Sequence, residues 1–172
     1  MPFSMTKKRN PNSMTTPCHI TFLPKLNLIG KSIVTNRTKN NTYELWKAFK
    51  QELSRIAISN PEYYYAVEQY SNTYFDSYHP EKPYNQWACI TVPDGITLPT
   101  NWNNLIVSEG LYAIFKYKGT AADAHHTIRS IHEDWLPSSG YVLANRPHYA
   151  LMHSDYDPLN PTAEEHFYIP IH

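Results

Sequence analysis

Tyrosine is the residue type whose abundance stands out, with 14 Tyr beside 6 Phe and 4 Trp among 172 residues. Such rings suit a pocket for a small molecule: a phenol gives wide contact with few rotors to freeze, keeps a hydroxyl for orientation, and presents a face that attracts cations. The 9 histidines raise metal binding instead, and His125, His126 and His132 fall on one helix-like stretch. Their spacing lacks the i, i+4 pair with an intervening Glu that marks HExxH, so they read as surface histidines and no metal is expected. The loop around Asp155 and Asp157 lacks the spaced ligands and central Gly of a calcium loop. Ser138-Ser139-Gly140 closes a helix and is not a G-x-S-x-G elbow, and 5 Gly in the whole chain leave no phosphate-cradling loop. No catalytic residue and no cofactor is therefore assigned. Cys18 and Cys89 stand in no CxxC spacing and read as reduced thiols.

Charge excludes two classes of partner. Lys+Arg and Asp+Glu are 15 each and the pI is about 7.1, which removes the electrostatic argument for direct nucleic-acid binding or for coating an anionic membrane. Hydrophobic residues at 41% can build a core. Lys7, Lys8 and Arg9 precede no apolar run of the kind a signal peptide needs, so the expectation is a cytoplasmic protein that does not enter a membrane. Residues 1–18 read as a flexible leader in which Met5 or Met14 offers a later start.

Positioning these residues requires strands and helices, and the order of their signals repeats. Strand-like runs at Ile20–Leu23 and Leu26–Thr35, with a bulge or bend at Gly30, precede a helix. Asn41 and Glu44 offer it a capping box, Leu45, Phe49, Leu53 and Ile56 form its apolar stripe with Trp46 beside them, and Asn60-Pro61 stops it. Strands follow at Tyr63–Tyr70 and Gln86–Val92. A strand within Leu105–Lys118 opens the second round, then a helix capped by Thr120 and Asp123, striped by Ala124, Ile128, Ile131 and Trp135, and ended by Pro137 and Gly140; strands at His148–His153 and His166–Ile171 close it. The expected fold class is α+β: duplicated βαββ units with pseudo-two-fold symmetry, antiparallel sheets, one helix per unit and a central groove. One domain spans 19–172, with unit 1 at about 19–98 and unit 2 at about 99–172.

Three motifs carry a family resemblance. Val107-Ser-Glu-Gly-Leu-Tyr-Ala-Ile-Phe-Lys-Tyr-Lys-Gly119 is similar to a P-x-G-x-Y-A-x-F-x-x-x-G strand, Trp135-Leu-Pro-Ser-Ser-Gly140 to W-L-P-x-S-G, and Tyr168-Ile-Pro-Ile171 to a closing Y-I-P-I. In this order they resemble the GyrI-like, or AraC-type, effector-binding domain with its SOUL-like fold. Leu28-Ile-Gly30 and Leu45-Trp46-x-x-Phe49 resemble its stand-alone members, and a stand-alone member is what the resemblance implies here. It also implies a groove between two halves that takes a small lipophilic, aromatic or cationic molecule, as in multidrug binding.

Many relatives carry P-x-[FY]-E-x-Y on the strand after the second helix, with the glutamate at the groove floor. This chain has Pro147-His-Tyr-Ala-Leu-Met152, so Ala150 replaces the carboxylate and Met152 the aromatic. If Ala66 corresponds to Ala150, Glu68 corresponds to Met152 and becomes the candidate counter-charge, with Tyr64 on its face. Tyr112 and Tyr168 fall where the family places groove aromatics; alternation sends Ile114 with Tyr112, and Ala113 and Phe115 toward the helix. The expected ligand-binding set is Trp46, Tyr64, Ala66, Glu68, Tyr112, Ile114, Ala150, Met152 and Tyr168. Two other readings stay open: a hydrolase of strained, cyclopropane-bearing toxins, in which a carboxylate activates water, and a gyrase-modulating interaction protein. A homodimer partner is also left open.

Overall fold

The computed structural model describes residues 15–56, 61–91 and 95–172; the expected leader up to residue 14, Asn60 and the end of the strand at Val92 lie outside them. Eight antiparallel strands form one sheet in the order β1-β6-β8-β7-β3-β4-β2-β5. They are β1 (His19–Leu23), β2 (Leu26–Thr35), β3 (Tyr63–Gln69), β4 (Tyr84–Ile90), β5 (Asn103–Val107), β6 (Gly110–Lys118), β7 (His148–His153) and β8 (Glu164–Pro170). The strand LYAIFKYK expected within Leu105–Lys118 is β6, and β5 is a further strand that ends where Ser108-Glu109 turns the chain. The order reads alike from either side of the central β7–β3 pair: β6-β8-β7 on one side, β2-β4-β3 on the other.

Two short links force this sheet to curl. Only Pro24 and Lys25 join β1 to β2, a reach of about 11 Å at full extension. In a flat sheet, six strand spacings of about 4.8 Å would hold those strands about 29 Å apart. The β5–β6 link is equally short and joins the last strand of the order to the second, again six spacings apart. Curling makes one face internal. Among the described residues no helix packs on the face that carries Leu28, Val67, Cys89, Val107 and Tyr112, yet Val67 and Cys89 are 0% exposed, so the sheet covers that face with itself. Burial there pushes the Cys89 thiol well above its ordinary range.

Helices cover the outer face in two separate patches. α1 (Thr42–Leu53) sets Leu45, Phe49 and Leu53 over Ile29, Ala88 and Ile90, with Trp102 stacked on Phe49 at 4.8 Å. Glu52 pins that end by accepting from Lys31 and from Trp102 Nε1 at 2.7 Å. Asn41 occupies the N-cap position, but its side chain caps nothing; Asn40 Oδ1 accepts the Thr42 N–H at 3.0 Å instead. The second patch is α2 (Ala124–Ser130), a π-helical turn at Ile131–Trp135 and α3 (Leu136–Ser139), whose Ala124, Ile131 and Trp135 pack on Ala113, Phe115, Phe167 and Ile169. Pro137 does not stop this helix. It sits in α3, where its missing N–H withdraws the bond that would return to Glu133, and the wider π turn lies just before it. Gly140, at φ 79°, ends the helix in the left-handed region that glycine adopts without strain.

At Gly30 the ladder continues in register, pairing with Cys89 on one side and Asn103 on the other, so the expected bulge is absent. The position needs glycine for a different reason: any Cβ would run into the backbone carbonyl of Ala88. Among the described residues no helix is long and apolar enough to cross a membrane.

Candidate functional site

Strand alternation and register divide the nine expected site residues between two faces. Ala66 pairs with Ala150, Tyr64 with Met152 and Glu68 with His148 across β3–β7, so these six share the outer face with both helices. Tyr112 and Ile114 point the other way from Ala113 and Phe115, as expected, but that way is the inner face of the curled sheet; Tyr168, paired with Ile114 and Tyr149, goes with them. A single groove lined by all nine is therefore corrected to two sets. Helix contacts identify a strand's outer face, but which strands lie side by side is decided by long-range pairing.

On the outer face, a seam runs along β7–β3 between the two helical patches. Ala66 belongs to neither cluster, and Ala150 touches only the α2 side. Both alanines are half-buried, so the floor is low and partly open. Trp46 projects from α1 and meets Tyr64 edge-on at 5.8 Å, which gives the seam an aromatic wall. Met152 is buried at the same end.

The opposite end is polar and filled. Arg37 donates to both Glu68 oxygens, at 2.9 and 3.0 Å, and its guanidinium lies 4.4 Å over the Tyr84 ring. The Tyr70 hydroxyl also donates to Glu68. Burial alone would lower the Arg37 pKa, but Glu68 beside it raises it on balance. Glu68 thus faces the outer side with Ala66, as expected, and its charge is already met within the protein. Phe75, from the loop after β3, stacks on His132 at 5.3 Å and on His148 at 5.4 Å.

Both histidines are held neutral: desolvation lowers His132 below 6.5 and His148 well below it, with His132 and Arg37 adding to the effect on His148. In the unfolded chain these rings take up protons as pH falls through about 6.5. Their contribution to stability is therefore complete above that pH and lost below it. The stability difference between wild type and His148→Gln should shift against the wild type by about 1.4 kcal/mol per pH unit below about 6.5, measured by urea denaturation across that range. A pH-independent difference would mean that His148 is solvated.

The inner set is equally aromatic. Tyr149 and Tyr168 stack at 4.4 Å, Tyr112 lies 5.6 Å from Tyr149, and Tyr65 6.1 Å from it. Tyr112 donates to the Pro147 carbonyl at 3.1 Å, so its hydroxyl is used internally. Trp87 Nε1 is buried in the same layer, without a partner among the described residues. Two surface depressions have none of the nine residues in their lining: one of about 390 Å³, beside Val34, Tyr70, Pro83 and Tyr84, adjoins the Arg37 end, and one of about 330 Å³ lies beside His153, Tyr156, Asn160 and Glu164. Neither has Ala66 or Ala150 in its lining.

Sequence reasoning missed Arg37, Phe75, His148 and Glu165. Arg37 meets a partner 31 positions away and sits in a turn, where no periodicity announces a role. Phe75 had a signal, a large aromatic inside a polar loop.

The sequence pattern of the GyrI-like small molecule binding domain matches residues 16–172. No protein of curated function matches the chain. Among solved structures, SAV2435 bound to tetraphenylphosphonium superposes with TM-score 0.66 at 11% identity, over 90% of this chain and 93% of that one. The C-terminal domain of EcmrR gives 0.65 at 11%, over 90% and 96%. An integron cassette protein from the mobile metagenome of Vibrio cholerae gives 0.62 at 13%, over 90% and 95%.

Proposed function

We propose that this chain, which belongs to the GyrI-like family of small molecule binding domains, takes a lipophilic aromatic ligand, cations included, in the outer seam between α1 and α2. The observation that carries this reading is the paired Ala66 and Ala150 at the centre of the sheet, half-buried, between two helices that pack as separate clusters. A seam floored by the smallest side chains admits a ring that larger residues would displace. Trp46 and Tyr64 supply the wall, where stacking and cation–π contacts contribute roughly 0.5 to 2 kcal/mol each. Met152 adds a polarisable surface that adapts to different ring shapes. Glu68 contributes indirectly, by fixing Arg37, Tyr70 and Tyr84 as the closed end. The ligand seen on SAV2435 supports the choice of probe.

Calorimetric titration with tetraphenylphosphonium tests the reading. The wild type should bind one equivalent, and Trp46→Ala should weaken binding roughly ten-fold through loss of one aromatic wall. An unaltered affinity in that variant, or no heat from the wild type, would remove the seam as the site.

A further inference from the structure

Among the described residues one buried carboxylate has no cationic partner. Glu165 is 6% exposed and lies on the outer face of β8. Its one hydrogen bond is from the Tyr156 hydroxyl, at 3.2 Å, and among the described residues no Lys, Arg or His pairs with it. The elements around it add no positive charge. Tyr117 is its cross-strand neighbour on β6 and Met152 on β7, while Tyr156 covers it from the β7–β8 loop. The charges that act on those tyrosines, Asp123 on Tyr117 and Asp157 on Tyr156, are negative. A carboxylate so placed costs stability unless something compensates it.

Register brings this residue to the seam. Met152 pairs with Glu165, and Ala150 with Phe167, so Glu165 stands diagonally beside Ala150 on the same face, within reach of a guest on the floor. We propose that Glu165 is the counter-charge for a cationic ligand of this seam, its carboxylate facing a cation that rests over Ala150 and Met152. The inference rests on the seam being the ligand site and names the charge that selects its guest. Desolvation, opposed by the Tyr156 hydrogen bond, pushes the Glu165 carboxyl up to about 7. The counter-charge is therefore absent well below that pH and present above it.

Tetraphenylphosphonium and tetraphenylborate have the same shape and opposite charges, and neither titrates. Wild type should bind the phosphonium roughly ten-fold more tightly at about pH 8.5 than at about pH 6, and the borate no more tightly. Glu165→Gln should fold, bind the phosphonium with an affinity independent of pH, and lose most of the preference for the cation. Thermal unfolding of each protein checks the fold, and the wild-type pH series stands without the variant. Binding of both ions without preference, or a pH dependence retained in Glu165→Gln, overturns the role of Glu165 and leaves the seam intact as a site. Absence of binding by either ion at any pH overturns the seam reading as well.

Discussion

Ala66→Phe abolishes tetraphenylphosphonium binding, lowering affinity by about 100-fold or more, while the unfolding midpoint in urea changes little. The expectation follows from where Ala66 stands: on the central strand, opposite Ala150, in neither of the outer hydrophobic clusters. A benzyl group added there need not displace a packed neighbour, so it occupies the seam without overpacking a core. What it removes is the room for a guest ring and the contacts with the floor, and shape exclusion of this kind leaves little residual affinity. Tyr168→Ala is the matched control, since that ring lies on the inner face. Were Tyr168→Ala to lose binding and Ala66→Phe to keep it, the ligand would sit on the inner face of the curled sheet, against the stacked Tyr149 and Tyr168.

Arg37→Met lowers stability by about 2 to 3 kcal/mol, read from chemical denaturation at neutral pH. The substitution keeps most of the side chain's bulk and removes the charge. Glu68 then keeps only the Tyr70 hydroxyl in place of a two-pronged guanidinium. Its side chain is 21% exposed, so water meets part of the demand, which places the loss below that of a fully buried pair. The stacking of Arg37 on Tyr84 goes as well. Arg37→Met with Glu68→Gln should recover more than half of the loss, because the uncompensated charge disappears with its partner. If the double variant is no better than the single one, the cost lies in packing against Tyr84 and not in the ion pair.

The two variants probe opposite ends of one seam. The Arg37 end is built from residues that satisfy one another: arginine with glutamate, tyrosine hydroxyl with carboxylate, and Phe75 against two neutral imidazoles. The Tyr64 end is aromatic and apolar, with Glu165 as the charge left over. A binding protein gains from this asymmetry, since a rigid, self-satisfied end costs no ordering on association and the other end offers the guest its contacts.

Local information in the chain was enough to find seven of the strand regions and both helical stretches. Alternation such as that of β6, and stripes such as Leu45, Phe49 and Leu53, record burial on one side of an element, which is a property of consecutive residues. Alternation also placed Ala113 and Phe115 toward the helix, opposite Tyr112 and Ile114. β5 escaped notice because Asn103 and Asn104 leave only a short apolar run, Leu105–Val107, before the turn at Ser108-Glu109.

Tertiary structure decided what these faces look upon. An amino-acid pattern tells which residues of a strand share a side, whereas the meaning of that side depends on neighbours brought from tens of residues away. Two short links curl the sheet, and curling turns the face of Tyr112 and Tyr168 into an interior and that of Ala66 and Glu68 into a helix-covered exterior. The same long-range pairing gave Glu68 an arginine and left Glu165 without one. Charge compensation is a matter of distance in space, and no spacing along the chain encodes it.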